Sequence, residues 1–276
     1  MENAEPDELS LHEVADILGV HYMTAYRYVR LGILPAQRKG RTWRIDRSDL
    51  DDYLAADEPR TPRGEADWAD RFFNRLLAAD EVGAWGVLEA AFSSGMAIPE
   101  AYPAVLSPSM KRIGDAWSAG EIDIATEHSA SEVAARIVAR LGPRLARRGV
   151  KRGTVVLGST ATELHSLPLA MATDLLRAAQ FEVIDLGAYL PPESFASYVA
   201  ETDGLVAVGV GITTSGQEEA LGETLSAIRG VTTVPIIVGG RGVDEATALL
   251  LGADGWAATG NGAVELIEML LKGAND

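Results

Sequence analysis

The chain has 276 residues, of which 47% are hydrophobic and 23% are charged, and it carries a net charge of −16 at pH 7 with no cysteine. These values describe a globular protein of two or three domains, and the lack of cysteine excludes disulfides, thiolate metal sites and cysteine nucleophiles. No apolar run reaches the roughly 18 residues of a membrane span, and the acidic start is unlike a secretory signal, so we expect a cytoplasmic protein without a membrane partner.

The first predicted domain covers residues 8–55. A capping-box sequence beginning at Ser10 predicts a short helix that ends at Leu18, and a second helix is predicted from Tyr22 to Leu31. A basic hairpin within residues 39–45 and a short closing helix follow. Two short helices, a tight turn and a hairpin are the outline of a winged helix-turn-helix.

Charge is unevenly distributed along the chain. Residues 21–47 contain seven basic residues and one acidic residue, Asp46, although the chain as a whole is strongly acidic. A compact basic patch on an acidic body is typical of a surface that binds a polyanion such as DNA. A solvated basic surface without a ligand is the alternative.

The same domain resembles the excisionase-like branch of the MerR family in residues 11–20, 25–35 and 43–50, which read LHEVADILGV, AYRYVRLGILP and WRIDRSDL. The resemblance implies that the second helix enters the major groove of double-stranded DNA while the wing grips phosphate or the minor groove. An architectural or partner-binding role stays open. The residues that it assigns to DNA contact are His21, Thr24, Arg27 and Tyr28 on the helix, and Arg41 and Arg44 in the wing.

The second predicted domain, residues 66–147, follows a polar linker that contains two prolines. Apolar residues recur there at intervals of three and four, as in Trp68, Phe72 and Leu76, which predicts amphipathic helices. Breaks near residues 80, 95–99 and 120 divide the segment into four helices. The sequence therefore predicts a four-helix bundle.

In the third predicted domain, residues 152–273, short apolar strands alternate with helices. This alternation predicts a flavodoxin-like, doubly wound parallel sheet of the Rossmann-like type, in which ligands bind beyond the carboxyl ends of the strands. The chain as a whole is thus predicted to be a multidomain α and α/β protein. The five candidate strands are Thr154–Gly158, Glu182–Gly187, Leu205–Val210, Pro235–Gly239 and Asp254–Thr259.

A histidine stands in the loop after the first of these strands. His165 can offer one imidazole nitrogen to a metal while Glu163 holds the other nitrogen, although an ordinary loop histidine would explain this triplet as well. Two glycine motifs, Gly209-Val-Gly211 and Gly239-Gly240, lie at the ends of later strands. Glycines there leave room for a ligand and let backbone amides approach it, and ordinary tight turns are the alternative.

These elements resemble the B12-binding module of corrinoid proteins, whose pattern is Asp-x-His-x-x-Gly, then Ser-x-Leu, then Gly-Gly at set intervals. The resemblance implies bound cobalamin with His165 as the lower axial cobalt ligand, while the displaced nucleotide tail enters a slot beside the glycines. The residues that it places at the cofactor are Glu163, Leu164, His165, Ser166, Leu167, Gly209, Gly211, Thr213, Thr214, Ser215, Gly239 and Gly240.

Two positions depart from that pattern. Pro168 stands where the motif has glycine, and Gly209 stands where it has serine, so one expected hydrogen bond to the nucleotide tail is missing. Hydroxyls at Thr213, Thr214 and Ser215 would donate at the mouth of the slot. A helix N-cap explains Ser215 equally well.

The bundle carries a second motif, in which Trp117 is followed after nine residues by Glu127-His128. It resembles the signature of CarH-type, B12-dependent photoreceptor repressors, and this implies that Trp117, Glu127 and His128 shelter the adenosyl group of adenosylcobalamin. Members have a histidine directly after the tryptophan, whereas this chain has Ser118, so His128 is the remaining candidate for an upper axial ligand. Without the resemblance, Trp117 would be bundle core and Glu127-His128 a solvated helix face.

The resemblance implies a cobalamin-dependent, light-sensing transcriptional regulator, a repressor rather than an enzyme. In it, adenosylcobalamin would control assembly into a homo-oligomer, a dimer or a tetramer, and thereby operator binding. Two alternatives stay open: a corrinoid-sensing regulator without photochemistry, and a corrinoid methyl-carrier protein.

Overall fold

A computed structural model describes residues 8–20, 22–30, 34–39, 42–54, 67–147 and 149–273. The chain divides into two compact units, and the division falls between Asp67 and Trp68. In the described ranges, every helix is too short or too polar to span a lipid bilayer.

The first unit has its own small core. In α1 the Ser10 side chain accepts a hydrogen bond from the Glu13 amide, and the Glu13 carboxylate accepts one from the Ser10 amide, which confirms the predicted capping box. Val14, Ile45 and Leu50 are fully buried in a core shared by the helices and the central strand. Its elements are β1 (Glu8–Ser10), α1 (Leu11–Leu18), α2 (Tyr22–Arg30), β2 (Gln37–Lys39), β3 (Thr42–Asp46) and α3 (Arg47–Leu54).

Strand β3 lies at the centre of a three-stranded antiparallel sheet, between β1 and β2. The β2–β3 hairpin was predicted, whereas β1 was not. Three residues are too few to show an alternating pattern, and β1 is a strand only because Leu9 pairs with Ile45 far along the chain.

The second unit begins with the predicted helical bundle. Its helices are α4 (Trp68–Leu77), α5 (Glu81–Ser93), α6 (Ser107–Ser118) and α7 (Ile124–Leu145). Between α5 and α6 the chain forms a 3₁₀ turn at Ile98–Glu100 and a π-helical turn at Tyr102–Leu106, neither of which was predicted. Apolar side chains from all four helices meet in one buried core.

A five-stranded parallel sheet completes the second unit, in the order β5-β4-β6-β7-β8, which is the flavodoxin-like order. All five predicted strands are present, with small differences at their ends. The elements are β4 (Thr154–Ser159), α8 (Leu167–Ala178), β5 (Glu182–Asp185), α9 (Pro192–Ala200), β6 (Leu205–Gly211), α10 (Glu218–Arg229), β7 (Ile236–Gly239), α11 (Glu245–Leu250), β8 (Gly255–Ala257) and α12 (Gly260–Gly273).

Alternate residues of the strands face opposite sides of the sheet. Val155 and Leu157 of β4 pack with α8 and α12, whereas Val156 packs with α9 and α10. Helix α8 also faces the bundle, because Met171 and Leu175 belong to the bundle core. The bundle and the sheet are therefore packed on opposite sides of one helix.

A buried hydrogen bond joins the bundle to α8. The Tyr102 hydroxyl donates to Oδ2 of Asp174 at 2.6 Å, and both residues are buried. Gly142 of α7 permits this approach, since a Cβ there would lie 2.6 Å from Oδ1 of Asp174. Burial raises the pKa of both Tyr102 and Asp174.

Tyr102→Phe should lower the free energy of unfolding by about 2 kcal/mol, because it leaves the buried Asp174 carboxyl without its donor. Urea denaturation measures this loss. Tyr198→Phe is the matched control, since Tyr198 is an exposed tyrosine on α9 and should change stability little. Equal stability of the Tyr102→Phe variant and the wild type would contradict the prediction.

The raised pKa of Asp174 also determines the direction in which pH changes the stability of the fold. Because the folded protein holds this proton more tightly than the unfolded chain, Asp174 contributes stability at low pH that is lost as the pH rises through its raised pKa. Asp174→Asn keeps an acceptor for Tyr102 but cannot ionise. This variant should therefore lose less stability than the wild type as the pH rises.

Candidate functional site

His165 is fixed by a carboxylate in the loop between β4 and α8. Its Nδ1 lies 2.5 Å from Oε1 of Glu163, and its backbone amide donates to the same oxygen at 3.0 Å. With the proton on Nδ1, the other ring nitrogen, Nε2, keeps its lone pair and has no hydrogen bond to another described residue, and the side chain is 55% exposed. An imidazole held in this way offers one oriented lone pair to a metal.

Glu163 is itself buried and ties two loops together. Its Oε2 accepts hydrogen bonds from the backbone amides of Thr213, at 2.6 Å, and Thr214, at 2.8 Å, in the loop after β6. Burial acts to raise the pKa of Glu163, but the hydrogen bonds from His165 and the two amides outweigh it and lower the pKa to about 2. The carboxylate stays charged, and its hydrogen bond raises the pKa of His165 although burial opposes this.

A cleft of about 110 Å³ opens beside His165, between the carboxyl ends of β4, β6 and β7 and helices α8 and α12. Two glycines keep it open. A Cβ at Gly209 would lie 2.4 Å from Cδ2 of Leu157, and a Cβ at Gly211 would lie 3.0 Å from Cδ2 of Leu169. Gly239 and Gly240 line the same cleft.

Ser159, at the end of β4, also lines the cleft and was not among the predicted residues. It is 1% exposed, and its Oγ has no hydrogen-bond partner among the described residues. A buried hydroxyl without a partner is uncommon in folded proteins. Its position two residues after Leu157, on the same face of the strand, is the sequence signal that could have identified it.

The three polar residues after β6, Thr213, Thr214 and Ser215, have different surroundings. Thr213 lines the cleft, whereas the hydroxyl of Thr214 lies 3.4 Å from Oε1 of Glu163. Ser215 is exposed, and the alternative that it caps the next helix is wrong, because α10 begins at Glu218 with Gln217 as its N-cap.

The residues around His165 point in different directions. Leu164 is 73% exposed, and Ser166 is the N-cap of α8 without a capping bond from its side chain. Leu167 is half-buried and packs against the bundle core. Pro168, which replaces the motif glycine, lines the cleft.

The bundle residues of the second motif lie on either side of the α6–α7 turn. After the larger effect of Glu163, the negative charge of Glu127 also acts to raise the pKa of His165. Trp117 is 47% exposed, and the alternative that it belongs to the bundle core is wrong. Glu127 accepts from Ser131 at 2.7 Å and lies 2.6 Å from Nδ1 of His128.

In the first unit, Arg44 lies on β3 next to the buried Ile45, so its side chain is on the face of the small sheet away from the core. Thr24 is partly exposed on α2. Tyr28 is half-buried and packs on Tyr53 of α3, with ring centroids 5.8 Å apart. His21, Arg41 and the side chain of Arg27 lie outside the described residues.

Three segments of the chain match known families. Residues 8–57 match a family described as a helix-turn-helix domain. Residues 68–141 and residues 153–268 match two families that are both described as a B12 binding domain. The chain therefore combines an N-terminal helix-turn-helix domain with a corrinoid-binding region in two parts, the bundle and the parallel sheet.

Corrinoid proteins are among its relatives. A corrinoid protein of Desulfitobacterium hafniense (strain Y51) is 29% identical over 165 residues, 58% of this chain and 76% of that protein. Trimethylamine corrinoid protein 2 of Methanosarcina mazei is 25% identical over 204 residues, 72% of this chain and 94% of that protein. The structure of the Methanosarcina barkeri monomethylamine corrinoid protein has the same fold, with a TM-score of 0.63 and 20% identity over 73% of this chain and 98% of that one.

The residues observed at the cleft fit a corrinoid. A corrin ring brings four nitrogen ligands to its own cobalt, so a single imidazole with a free Nε2 is enough to hold the metal. In the described part of the chain, no group of three or more His, Asp or Glu side chains could hold a bare ion. The glycine-lined cleft with an unpaired hydroxyl, beside His165, suits the nucleotide tail.

Proposed function

We propose that this protein is a cobalamin-dependent transcriptional repressor that binds DNA through its first unit and senses light through adenosylcobalamin. One observation carries the proposal: an exposed imidazole, held by Glu163, stands beside a glycine-lined cleft in a chain that also has a helix-turn-helix domain. The resemblance of the Trp117 to His128 segment to CarH-type repressors supports the light-sensing part.

The chain's own residues would act from two sides of the cofactor. Below, His165 would donate Nε2 to cobalt while Glu163 keeps the ring oriented. Above, the exposed ring of Trp117 would cover an apolar surface, and the Glu127 carboxylate would accept hydrogen bonds from the adenosyl group. The bound cofactor would supply a cobalt–carbon bond that light breaks. Because Trp117 and Glu127 belong to the bundle, loss of the adenosyl group would change how the bundle is held.

Assembly would connect the cofactor to DNA. A single small helix-turn-helix unit binds DNA weakly. A dimer or tetramer would present two or four such units, and together they would supply the affinity that an operator needs. Coupling requires that adenosylcobalamin bind the assembled form more tightly than the free protomer. The β2–β3 hairpin would serve as the wing, with Arg44 at phosphate or the minor groove.

Absorption spectra of the protein with adenosylcobalamin, before and after green light, test the proposal. We expect a spectral change together with a change of oligomeric mass, measured by light scattering, and of affinity for DNA from upstream of its own gene. In the dark, adenosylcobalamin and hydroxocobalamin should give different masses. If illumination changes neither mass nor DNA affinity, the light-sensing proposal is wrong.

Trp117→Ala should weaken adenosylcobalamin binding about 10-fold, because an indole face of this size contributes more than 1 kcal/mol when it is covered. Binding of hydroxocobalamin, which lacks the adenosyl group, should change much less. Titration followed by absorption measures both affinities. Tyr198→Ala removes a similarly exposed aromatic ring from α9 and serves as the control. Equal losses for the two cofactors would contradict a role at the upper face.

Arg44→Ala should weaken DNA binding about 5- to 10-fold and reduce the slope of log affinity against log salt by about 1, as expected for one lost phosphate contact. Fluorescence anisotropy over a salt series measures both quantities. Arg47→Ala is the control, because the Arg47 guanidinium pairs with Asp51 at 3.2 Å. A salt slope that is unchanged in Arg44→Ala would place Arg44 outside the interface.

A corrinoid methyl carrier is the second candidate, since relatives of this chain are named as methylamine corrinoid proteins. A carrier would bind methylcobalamin at least as tightly as adenosylcobalamin and would have no specific affinity for DNA. A corrinoid sensor without photochemistry is the third, favoured by Ser118 in place of histidine. It would respond to cofactor in the dark and show no further change of mass on illumination.

A further inference from the structure

We propose that Ser159 recognises the base of the corrinoid's nucleotide tail, by donating a hydrogen bond from its hydroxyl to a ring nitrogen of that base. The inference rests on the corrinoid-binding part of the proposed function. The sequence pattern alone predicts that this bond is lost, since Gly209 stands where related proteins have serine. The structure indicates that the donor lies on the neighbouring strand instead.

Ser159 is the buried, unsatisfied polar group of the cleft. Among the described residues, the polar side chains that line the cleft are those of Ser159, His165, Thr213 and Thr259. His165 is held by its carboxylate partner, Thr259 accepts a backbone amide bond, and Thr213 is exposed to solvent. The hydroxyl of Ser159 is buried without a partner, and such a group is stabilised by a ligand that offers an acceptor.

The surroundings of Ser159 select a flat, weakly polar group. The walls of the cleft are apolar and include Leu157, Leu169, Leu176 and Ile237. The glycines of β6 place no side chain on this face of the sheet. When His165 takes the place of the cofactor's own base at cobalt, that base is left with a free ring nitrogen. A buried ring nitrogen also needs a partner, so the base and Ser159 satisfy each other.

The register of β4 and β6 explains why the donor is not at residue 209: Gly209 pairs with Leu157, and a Cβ at Gly209 would lie 2.4 Å from Cδ2 of Leu157. Ser159 pairs with Gly211 in the parallel register, and a Cβ at Gly211 would lie 3.0 Å from the Ser159 Oγ. A side chain on β6 at this level and the Ser159 hydroxyl would therefore compete for the same space. Glycine on β6 with serine on β4 keeps one donor in the cleft.

Ser159→Ala tests the proposal when its affinities for cobalamin and for cobinamide, which lacks the nucleotide tail, are compared with those of the wild type by absorption titration. We expect cobalamin binding to weaken about 5- to 10-fold, as for the loss of one hydrogen bond, with cobinamide binding unchanged. Equal effects on both ligands, or no effect on either, would overturn the role of Ser159. A wild-type protein that binds neither ligand would instead overturn the proposed function on which it rests.

Thermal unfolding of the cofactor-free protein is the second readout. Ser159→Ala should not lower the melting temperature, because the hydroxyl has no hydrogen-bond partner among the described residues. Thr224→Ala is the control: its buried hydroxyl donates to the Ala220 carbonyl at 2.8 Å on α10, which packs on the opposite face of the sheet. It should lower the melting temperature and leave the ratio of the two affinities unchanged. A clear loss of melting temperature in Ser159→Ala would assign the hydroxyl a structural role and overturn the proposal.

Discussion

His165→Ala should weaken cobalamin binding by about 100-fold or more. Loss of a residue that only orients a metal ligand typically costs 10- to 100-fold in affinity, and here the ligand itself is removed. Any cofactor that still binds should lose the band shift that ligation by His165 causes, because the His165 nitrogen would then be absent from the cobalt. Absorption titration reports both the affinity and the position of the bands.

Two controls separate ligation from a general disturbance of the loop. Thr162→Ala changes an exposed residue of the same loop that does not line the cleft, and it should leave the affinity nearly unchanged. Added imidazole should restore the shifted bands in His165→Ala, since it can occupy the space that the side chain leaves. If His165→Ala binds cobalamin with the wild-type spectrum, His165 is not a cobalt ligand.

Gly240→Ala should lower the free energy of unfolding by about 3 kcal/mol or more. Gly240 has a φ of +111°, a conformation that a residue with a side chain rarely adopts, and a Cβ there would lie 2.1 Å from the carbonyl oxygen of Ile212. The obstacle is backbone rather than a flexible side chain, so the turn after β7 must shift. Because this turn lines the cleft, cobalamin binding should weaken as well.

Gly252→Ala is the matched control for this prediction. Gly252 has a similar φ of +104°, but nothing lies within 4 Å of a Cβ placed there. It should therefore show only the backbone strain, about 1 kcal/mol, and normal cobalamin binding. Chemical denaturation of both variants measures the difference, which isolates the collision with Ile212. Equal losses in the two variants would contradict this explanation.

Local patterns in the sequence were sufficient for most of the fold. The alternation of apolar strands with helices predicted the parallel sheet, and the Ser10 to Glu13 capping box placed the start of α1. Strand β1 was missed because it depends on pairing with β3, and the π-helical turn at Tyr102–Leu106 has no distinct sequence pattern.

The candidate site was predictable where its parts are neighbours in sequence. Glu163 and His165 are two residues apart, so their contact could be expected from the triplet alone. The amides of Thr213 and Thr214 on Glu163 could not, because a backbone donor leaves no signature in residue type. Ser159 looked like an ordinary strand residue, since its lack of a partner becomes visible only in the assembled fold.

Tyr28 has a packing neighbour that the sequence did not reveal. The family resemblance assigned Tyr28, together with Thr24, to the face of α2 that contacts DNA. A third element, α3, supplies Tyr53 as a packing partner, and sequence spacing within one helix carries no information about this neighbour.

Helix α8 begins directly after the His165 loop, and its residues Met171 and Leu175 are buried in the bundle core. The helix therefore connects this loop to the bundle. Moving the bundle away from α8 would expose these side chains to water and break the Tyr102–Asp174 hydrogen bond. The free-energy cost would be a sizeable part of a domain's net stability. A large movement of the bundle is therefore expected only where another surface covers the apolar side chains that the movement exposes. In an isolated protomer, any movement of the bundle should therefore be small enough to keep Met171 and Leu175 covered.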